Sequence, residues 1–365
     1  MPWHRFGQKR RQVGALQGGA EFKTDPLLLR VHGRAFRRRR MYRKKLIRRL
    51  IVCAALSLVL LAALVMSYYL SNPEPRRLDA EARAHAPGSF VSLDDGVVHY
   101  ELTGVAGGRT VVLIHGAGPN SSAVMTPLAA VLARENLVLT FDLYGQGYSD
   151  RPLAIYGPDL FDRQLQQLLF KLGIADQVDL VGFSLGSWIA TAYAARHPER
   201  VRSLTLIGPA GVEDRPSFSL KLATYSLIGE YLFRVFERQI VQRGLSKITH
   251  APKYVEHCLR DEMPLTEFEG TRRAALSVLR NIPLGRSNVF QIVGRQRFPA
   301  LAIYGEYDNV SLASDIGRLK QLIPRVKVAE INNASHGALV YDNAEEVGGV
   351  IINFLINSSQ FHSAA

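Results

Sequence analysis

Residues 178–188, VDLVGFSLGSW, join a short apolar run to a serine flanked by glycines, and this stretch decides the fold. Residues 178–183 have the length and apolar content of a buried strand, and helix-forming residues follow Ser184. The letters GFSLG match the pattern G-x-S-x-G, in which a serine sits on a strained turn between strand and helix. Flanking glycines allow the strand and the helix to approach closely there. An ordinary Gly-rich turn with a solvated serine fits the same letters, so the interpretation depends on partners elsewhere in the chain.

Strands alternate with helical segments on both sides of this turn. A hairpin is predicted over residues 90–102, with its turn at 94–96. Further strands are predicted at 111–114, 137–142, 178–183, 201–207, 300–304 and 326–331. This alternation predicts an α/β fold with a mostly parallel, eight-stranded sheet covered by helices on both faces. In such sheets the active site lies outside the carboxyl ends of the strands.

Two loops at predicted strand ends carry the partners that a reactive serine needs. A serine hydroxyl is a poor nucleophile near neutral pH and requires a base, which in turn requires an orienting acid. Asp308 follows one late strand and His336 follows the next. Of the ten histidines, His336 alone lies after a C-terminal strand in a loop that is free to reach Ser184. We therefore predict a catalytic triad of Ser184, His336 and Asp308, with Glu306 as the alternative acid.

Attack on a carbonyl carbon also requires hydrogen-bond donors for the oxyanion. The backbone amide of Leu185, directly after the serine, is one candidate. The letters HGAG at 115–118 follow a predicted strand, and their glycines allow the amide of Ala117 to approach as the second donor. We interpret His115 as a structural loop residue. No lysine follows these glycines, as a phosphate-binding loop would require, and we predict neither a cofactor nor a metal.

Five motifs are spread along the chain in a fixed order. They are VVLIHGAG (111–118), FDLYGQGYSDRP (141–152), VGFSLG (181–186), YGEYD (304–308) and ASHG (334–337). Together they resemble the α/β-hydrolase superfamily, in the branch of capped serine esterases, lipases and carbon–carbon bond hydrolases. The resemblance covers residues from about Phe90 to Leu355 and implies that the second motif is structural.

Two departures limit what the resemblance implies. Epoxide hydrolases and haloalkane dehalogenases of this superfamily carry an aspartate where this chain has Ser184, which argues against both chemistries. Many lipases carry a second glycine directly after the first, whereas this chain has Leu185-Gly186-Ser187. No lipase subfamily follows from the motifs.

The alternation of strands and helices stops over residues 212–298, which we call the cap. A structureless loop of this length would be unusual in a compact domain, so we predict a helical insertion over the strand ends. Additional core helices away from the site are the alternative. The segment is rich in aromatic residues, among them Phe218, Tyr225, Tyr231, Phe233, Phe236, Tyr254, Phe268 and Phe290.

The net charge of +13 is concentrated at the N-terminus. Residues 1–49 carry sixteen of the 45 Lys and Arg residues but only two of the 32 acids, so the remainder has a net charge of −1. The basic residues therefore do not indicate a nucleic-acid-binding body. Nine of the thirteen residues at 37–49 are basic, and residues 50–70 then run uncharged for the length of a transmembrane helix.

This arrangement predicts a single-pass anchor with a cytoplasmic N-terminus and the catalytic domain on the far side of the membrane. The basic run 37–49 is expected to contact anionic headgroups. A cleaved signal peptide is the rival interpretation, but its apolar core would be shorter and a small-x-small site would follow. Only two cysteines are present, so no disulfide framework is indicated.

The predicted organisation has seven segments. These are a disordered basic tail (1–49), a transmembrane helix (50–70), a linker (71–87), a core in two parts (88–211 and 299–357), the cap (212–298) and a C-terminal tail (358–365).

The leading functional hypothesis is a membrane-anchored serine hydrolase that cleaves hydrophobic carboxylic esters, with acyl-lipids and monoacylglycerols among the candidates. The alternatives are hydrolysis of a carbon–carbon bond in a vinylogous diketone, hydrolysis of thioesters or amides, and a membrane-tethered binding module without activity.

Overall fold

The computed structural model describes residues 26–119, 121–213, 218–285 and 288–359. The chain divides into two compact units, Met1–Met66 and Ser67–Ala365. A single helix, α1 (Pro26–Leu70), begins in the first unit and ends in the second. Its stretch Arg38–Leu70 is long and apolar enough to cross a membrane, and its apolar side chains are exposed.

The prediction of a disordered tail differs from the structure over residues 26–49, which are helical. Residues 1–25 lie outside the described part of the chain. Arg, Lys and Leu are strong helix formers. Because the apolar run already forms a helix, each preceding residue adds a hydrogen bond without the cost of a new nucleus.

The eight strands form one sheet, as predicted. They are β1 (Ser89–Leu93), β2 (Gly96–Gly104), β3 (Thr110–Ile114), β4 (Leu137–Phe141), β5 (Val178–Phe183), β6 (Val201–Ile207), β7 (Ala300–Gly305) and β8 (Lys327–Ile331). Their order is β1-β2-β4-β3-β5-β6-β7-β8. The pairs β1–β2 and β2–β4 are antiparallel, and the remaining pairs are parallel. The carboxyl ends of β3 through β8 therefore meet at one edge.

Helices cover both faces of the sheet. After α1, the described α-helices of the chain are α2 (Ala80–Ala84), α3 (Thr126–Leu132), α4 (Pro158–Lys171), α5 (Leu185–Arg196), α6 (Phe218–Thr224), α7 (Ile228–Ile248), α8 (Pro252–His257), α9 (Thr271–Asn281), α10 (Val289–Val293), α11 (Ala313–Leu322) and α12 (Ala344–Ser359). Helices α3 and α12 pack together on one face, and α4, α5 and α10 pack on the other. Both faces of β3 to β7 are buried, which explains their continuous apolar sequence, whereas the edge strand β8 carries exposed residues.

The cap contains helices α6 to α10 and no strand among its described residues. Helix α10 packs against α5 of the core rather than over the strand ends, so the last part of the cap belongs to the covering layer of the sheet. The apolar periodicity of the segment could not distinguish a helix of the cap from a helix that covers the sheet, because both have the same apolar pattern.

The predicted linker 71–87 contains helix α2 and packs on the cap. The backbone of Arg76 pairs with Glu267 and Glu269, at 3.2 and 2.8 Å, and its guanidinium lies 4.6 Å from the ring centre of Phe268. Glu74 forms an ion pair with the buried Arg272 at 3.3 Å. Residues 71–87 are thus part of the folded unit and not a free spacer.

Candidate active site

Ser184 occupies the strained turn that its motif predicts. It lies between β5 and α5 with φ 54° and ψ −116°, a conformation that costs free energy in any residue other than glycine. A Cβ at Gly182 would overlap the backbone of Gly186, and a Cβ at Gly186 would overlap the carbonyl oxygen of Ile114. The two glycines are therefore required for the close approach of α5 to the sheet.

Hydrogen bonds hold this turn in place. The amide of Ser184 donates to the carbonyl of Ile207 at the end of β6, at 2.9 Å, and its own carbonyl accepts from the amide of Ala210 at 3.2 Å. The hydroxyl of Ser187 donates to the carbonyl of Gly182 at 2.6 Å. The backbone of Ser184 is thereby held at the edge of the sheet where the strands end, and the residue is half-buried.

His336 and Asp308 lie at the same edge and contact each other. Nδ1 of His336 is 2.8 Å from Oδ2 of Asp308, and both side chains are buried. The other carboxylate oxygen of Asp308 accepts from the amides of Val310 and Ser311, at 2.8 and 2.9 Å. The two backbone amides thus hold the carboxylate of Asp308 in place, and the carboxylate in turn orients the imidazole of His336.

The imidazole of His336 lies directly beside the serine turn. Its ring centre is 4.9 Å from that of Phe183, the residue before Ser184. A Cβ at Gly208, which follows β6, would be 2.9 Å from both Cε1 and Nδ1 of this ring. Gly208 has φ 49°, so the chain needs glycine there both for its conformation and for the space that the imidazole occupies.

The alternative acid, Glu306, lies elsewhere. Its carboxylate accepts from the backbone amide of Asn333 at 2.8 Å. His115 is fully buried, with Nδ1 2.9 Å from its neighbour's carbonyl and Nε2 accepting from the amide of Leu143 at 3.0 Å. Burial lowers the pKa of His115, which fits a neutral structural imidazole.

The two predicted oxyanion donors flank the serine. Leu185 is the first residue of α5, so its amide lies at a helix N-terminus, where negative charge is favoured. Ala117 lies in the loop after β3, and the pairing of Ile114 with Gly182 places that loop beside the turn. A Cβ at Gly116 would be 3.1 Å from the Cβ of Ser184. The loop therefore lies against the side chain of Ser184, and the donor role of the Ala117 amide stays a prediction.

Asp142, directly after β4, connects the loops at this edge of the sheet through several hydrogen bonds. Its carboxylate accepts from the amide and hydroxyl of Ser122, from the amide of Tyr148, and contacts Nδ1 of His99 at 2.8 Å. Burial alone would raise the pKa of Asp142, but these hydrogen bonds outweigh it and lower the pKa to about 2. The structure agrees with the structural role that the resemblance implies for the loop at 141–152.

A cavity of about 300 Å³ lies between this edge and the cap. Its wall is mostly apolar and is formed by the Ala117 loop, the loop after β4, helices α7 and α9, and Thr266 between these helices in the chain. The lining residues are Ala117, Gly118, Pro119, Tyr144, Gly145, Gln146, Phe233, Glu237, Ile240, Val241, Thr266, Thr271, Ala274, Ala275, Val278 and Leu279. Of the cap aromatics whose side chains are described, Phe233 alone contributes. Tyr254, Phe268 and Phe290 are buried in packing contacts instead.

Sequence reasoning missed a group of polar residues beside the Ala117 loop. Glu262, from the cap, accepts a hydrogen bond from Ser121 at 2.9 Å and lies 3.1 Å from Nε2 of His257. Neither periodicity nor a motif marks these residues, because they are brought together only by the packing of the cap on the core.

Comparison with known proteins identifies the family. A family model described as the alpha/beta hydrolase fold matches residues 109–342, well over half of the chain. The chain belongs to the α/β-hydrolase family. The matched residues include the serine turn, the Ala117 loop and the Asp308–His336 pair, and they also span the cap.

Relatives of two kinds share this fold. The chain is 28% identical to Lipase 3 of Moraxella sp. (strain TA144) over 67% of this chain and 77% of the lipase. It is 30% identical to a 2-hydroxy-6-oxononadienedioate/2-hydroxy-6-oxononatrienedioate hydrolase of Paraburkholderia phymatum, over 71% and 90%. The crystal structure of Cfl2 from Burkholderia cenocepacia superposes with a TM-score of 0.65 at 24% identity, covering 73% and 94%, and supports the fold alone.

Proposed function

We propose that the protein is a membrane-anchored serine hydrolase that cleaves hydrophobic carboxylic esters through an acyl-enzyme. The observation that carries the proposal is the 2.8 Å contact between Nδ1 of His336 and the buried Asp308, next to the strained turn of Ser184. A hydrolase family supplies the reaction type, and the order and geometry of the three residues support their roles.

In the proposed mechanism, Nε2 of His336 takes the proton of the Ser184 hydroxyl as its oxygen attacks the ester carbonyl carbon. The amides of Leu185 and Ala117 hold the resulting oxyanion. His336 then gives its proton to the departing alcohol, leaving the acyl group on the serine. A water molecule then gives a proton to His336 and attacks the acyl carbon. His336 returns that proton to the Ser184 oxygen as the bond between this oxygen and the acyl carbon breaks, which releases the acid and restores the enzyme. Asp308 orients the imidazole and stabilises its charged form.

The nature of the cavity supports a hydrophobic substrate. Its wall is largely apolar and includes Ala117, one of the proposed oxyanion donors, whereas Ser184, Asp308 and His336 do not line it. An ester with an acyl chain can bury methylene groups against α7 and α9 while its carbonyl lies at Ser184. We propose acyl-lipids, monoacylglycerols among them, as the substrate class.

A second candidate reaction uses the same residues. The Paraburkholderia phymatum relative is named a hydrolase of 2-hydroxy-6-oxononadienedioate, and 90% of its length is matched. Carbon–carbon bond hydrolysis of such a vinylogous diketone is therefore the alternative. The dioate in the name of this relative carries two carboxylates, whereas the cavity wall is largely apolar and includes Glu237, which favours the ester.

A fluorophosphonate probe and a substrate panel test this proposal. We expect the probe to label the purified protein on Ser184 and the Ser184→Ala variant to remain unlabelled. Nitrophenyl esters and monoacylglycerols should be hydrolysed, and a vinylogous diketone should be cleaved more slowly. Faster cleavage of the diketone would assign the alternative reaction, and the absence of labelling and turnover would indicate a binding module.

The membrane anchor is a separate proposal, which rests on α1. The stretch Arg38–Leu70 is long and apolar enough to cross a membrane. Nine basic residues at 37–49 precede the uncharged part, so the positive-inside rule places the N-terminus in the cytoplasm. The catalytic domain then lies on the other side.

Protease added to intact cells or spheroplasts tests this topology. We expect it to remove the catalytic domain and to leave a membrane-bound fragment that contains residues 1–49, detected through an N-terminal tag. Detergent should make the tagged fragment accessible as well. A catalytic domain that resists external protease, or mature protein that begins near Pro87, would contradict the anchor.

A further inference from the structure

A buried carboxylate outside the triad lies beside the Ala117 loop. Glu262 ends the π-helical turn Cys258–Glu262, and only 1% of its surface is exposed. Its Oε1 accepts a hydrogen bond from the hydroxyl of Ser121 and contacts Nε2 of His257. Within the described part of the chain, the buried Oε2 has no hydrogen-bond partner. A buried carboxylate oxygen without a donor is costly, so this atom indicates a place for a ligand group.

Glu262 lines a small pocket, which we call the side pocket. Its volume is about 10 Å³, and it is lined by Gly118, Gln146, Gly147, Glu262, Leu265, Thr266 and Thr271. Four of these residues, Gly118, Gln146, Thr266 and Thr271, also line the larger cavity. The side pocket therefore adjoins the proposed substrate cavity, and its size suits one water-sized group.

The surroundings of Glu262 favour its role as an acceptor. Nδ1 of His257 is 2.8 Å from Asp261, so this imidazole lies between two carboxylates. Burial opposes the charge of His257, but its hydrogen bonds to Glu262 and Asp261 raise its pKa. Burial raises the pKa of Glu262, and the hydrogen bonds from His257 and Ser121 offset only part of that rise. Because the hydroxyl of Ser121 and Nε2 of His257 both lie at Oε1, Oε2 is the oxygen of Glu262 that can accept a further hydrogen bond.

We propose that the side pocket binds a hydroxyl group and that the substrate is an ester with a free hydroxyl. The hydroxyl donates its hydrogen to Oε2 of Glu262, while the apolar chain lies in the larger cavity. A carboxylate of the substrate is excluded from this position, because it would be repelled by Glu262. The hydroxyl belongs either to the acyl chain or to the alcohol, such as glycerol. This inference rests on the proposed ester hydrolysis at Ser184, since it names the substrate class of that site.

A purely structural role for Glu262 makes a different prediction. The hydrogen bond between Ser121 and Glu262 joins the cap to the loop that follows Gly118. If this connection were its only role, loss of Glu262 would slow all esters equally. A subsite for a hydroxyl changes the ratio between a hydroxylated ester and its deoxy analogue. That ratio does not depend on the fraction of folded protein, because both rates come from one preparation.

Two pairs of esters measure this ratio and distinguish the two sources of the hydroxyl. Ethyl β-hydroxybutyrate against ethyl butyrate tests the acyl side, and glycerol monobutyrate against propyl butyrate tests the alcohol side. We expect the hydroxylated member of one pair to have a kcat/KM at least about tenfold higher than its analogue, as hydrogen bonds to a charged group allow. In Glu262→Gln the ratio should fall several-fold, because the acceptor becomes neutral, and in Glu262→Met it should approach one.

Glu256→Gln is the matched control, since Glu256 lies on the same segment, is exposed and contacts Arg260 rather than His257. It should retain the wild-type ratio. A wild-type ratio near one in both pairs, or an unchanged ratio in both Glu262 variants, would overturn the subsite and leave ester hydrolysis intact. If no ester is hydrolysed and no probe labels Ser184, the proposed function fails instead. Calorimetric binding of the same four esters to Ser184→Ala then decides the hydroxyl preference without turnover.

Discussion

Alanine in place of Ser184 is expected to lower kcat for a nitrophenyl ester by about 10⁴-fold or more, with the fold retained. The reason is that the acyl-enzyme route needs the serine oxygen, and the remaining oxyanion donors supply only part of the acceleration. His336→Ala should cause a similar loss. Asp308→Asn should lose about 10⁴-fold as well, because the amide no longer holds the imidazole in the required tautomer. Steady-state kinetics with far-UV circular dichroism on each variant measures both activity and fold.

The three losses should not multiply, because the residues act as one unit. The double variant Ser184→Ala, His336→Ala is expected to be about as slow as either single variant. Glu306→Gln is the matched control on the same loop, since its carboxylate contacts the backbone of Asn333 rather than His336. A double variant whose loss equals the product of the single losses would argue against a triad. A larger loss in Glu306→Gln than in Asp308→Asn would reassign the acid.

The residues proposed for catalysis could be predicted from sequence because each lies in a local pattern with a steric cause. The strained φ of Ser184 and the close packing of α5 require glycines at fixed positions, so the turn leaves a recognisable sequence. Asp308 and His336 follow strands, and the carboxyl ends of parallel strands necessarily meet at one edge. Chain order and strand ends were sufficient to propose these partners before any distance was known.

The cavity and the adjoining side pocket could not be predicted in the same way. Ser121 and Glu262 are separated by 141 positions, and their contact depends on how the cap packs over the core. The cap is rich in aromatic residues, but of those whose side chains are described only Phe233 lines the cavity, while Tyr254, Phe268 and Phe290 are buried in packing contacts. Composition indicates how many apolar side chains a segment has, whereas only the tertiary structure determines which of them line a cavity.

The second large effect is expected from the acyl chain. Each methylene buried in the cavity contributes about 0.8 kcal/mol, so four of them contribute about 3 kcal/mol, a factor of more than 100 in kcat/KM. This binding is common to the ground and transition states, so it should appear in KM rather than in kcat. We expect kcat/KM to rise with acyl length from two carbons and then to reach a plateau when the cavity of about 300 Å³ is filled. Esters of two to about twelve acyl carbons, with and without detergent, measure this dependence.

Two phenylalanines on α7 provide the variant and its control. Phe233 lines the cavity, whereas Phe236, on the same helix, is exposed and does not line it. Phe233→Ala should therefore reduce the gain per methylene, since the chain loses apolar surface on one side, and Phe236→Ala should retain the wild-type slope. Equal slopes in the two variants would mean that the acyl chain does not lie under the cap. A preference for acetyl esters that persists in detergent would refute the lipid substrate and still permit an esterase that acts on small acids, because the triad does not depend on chain length.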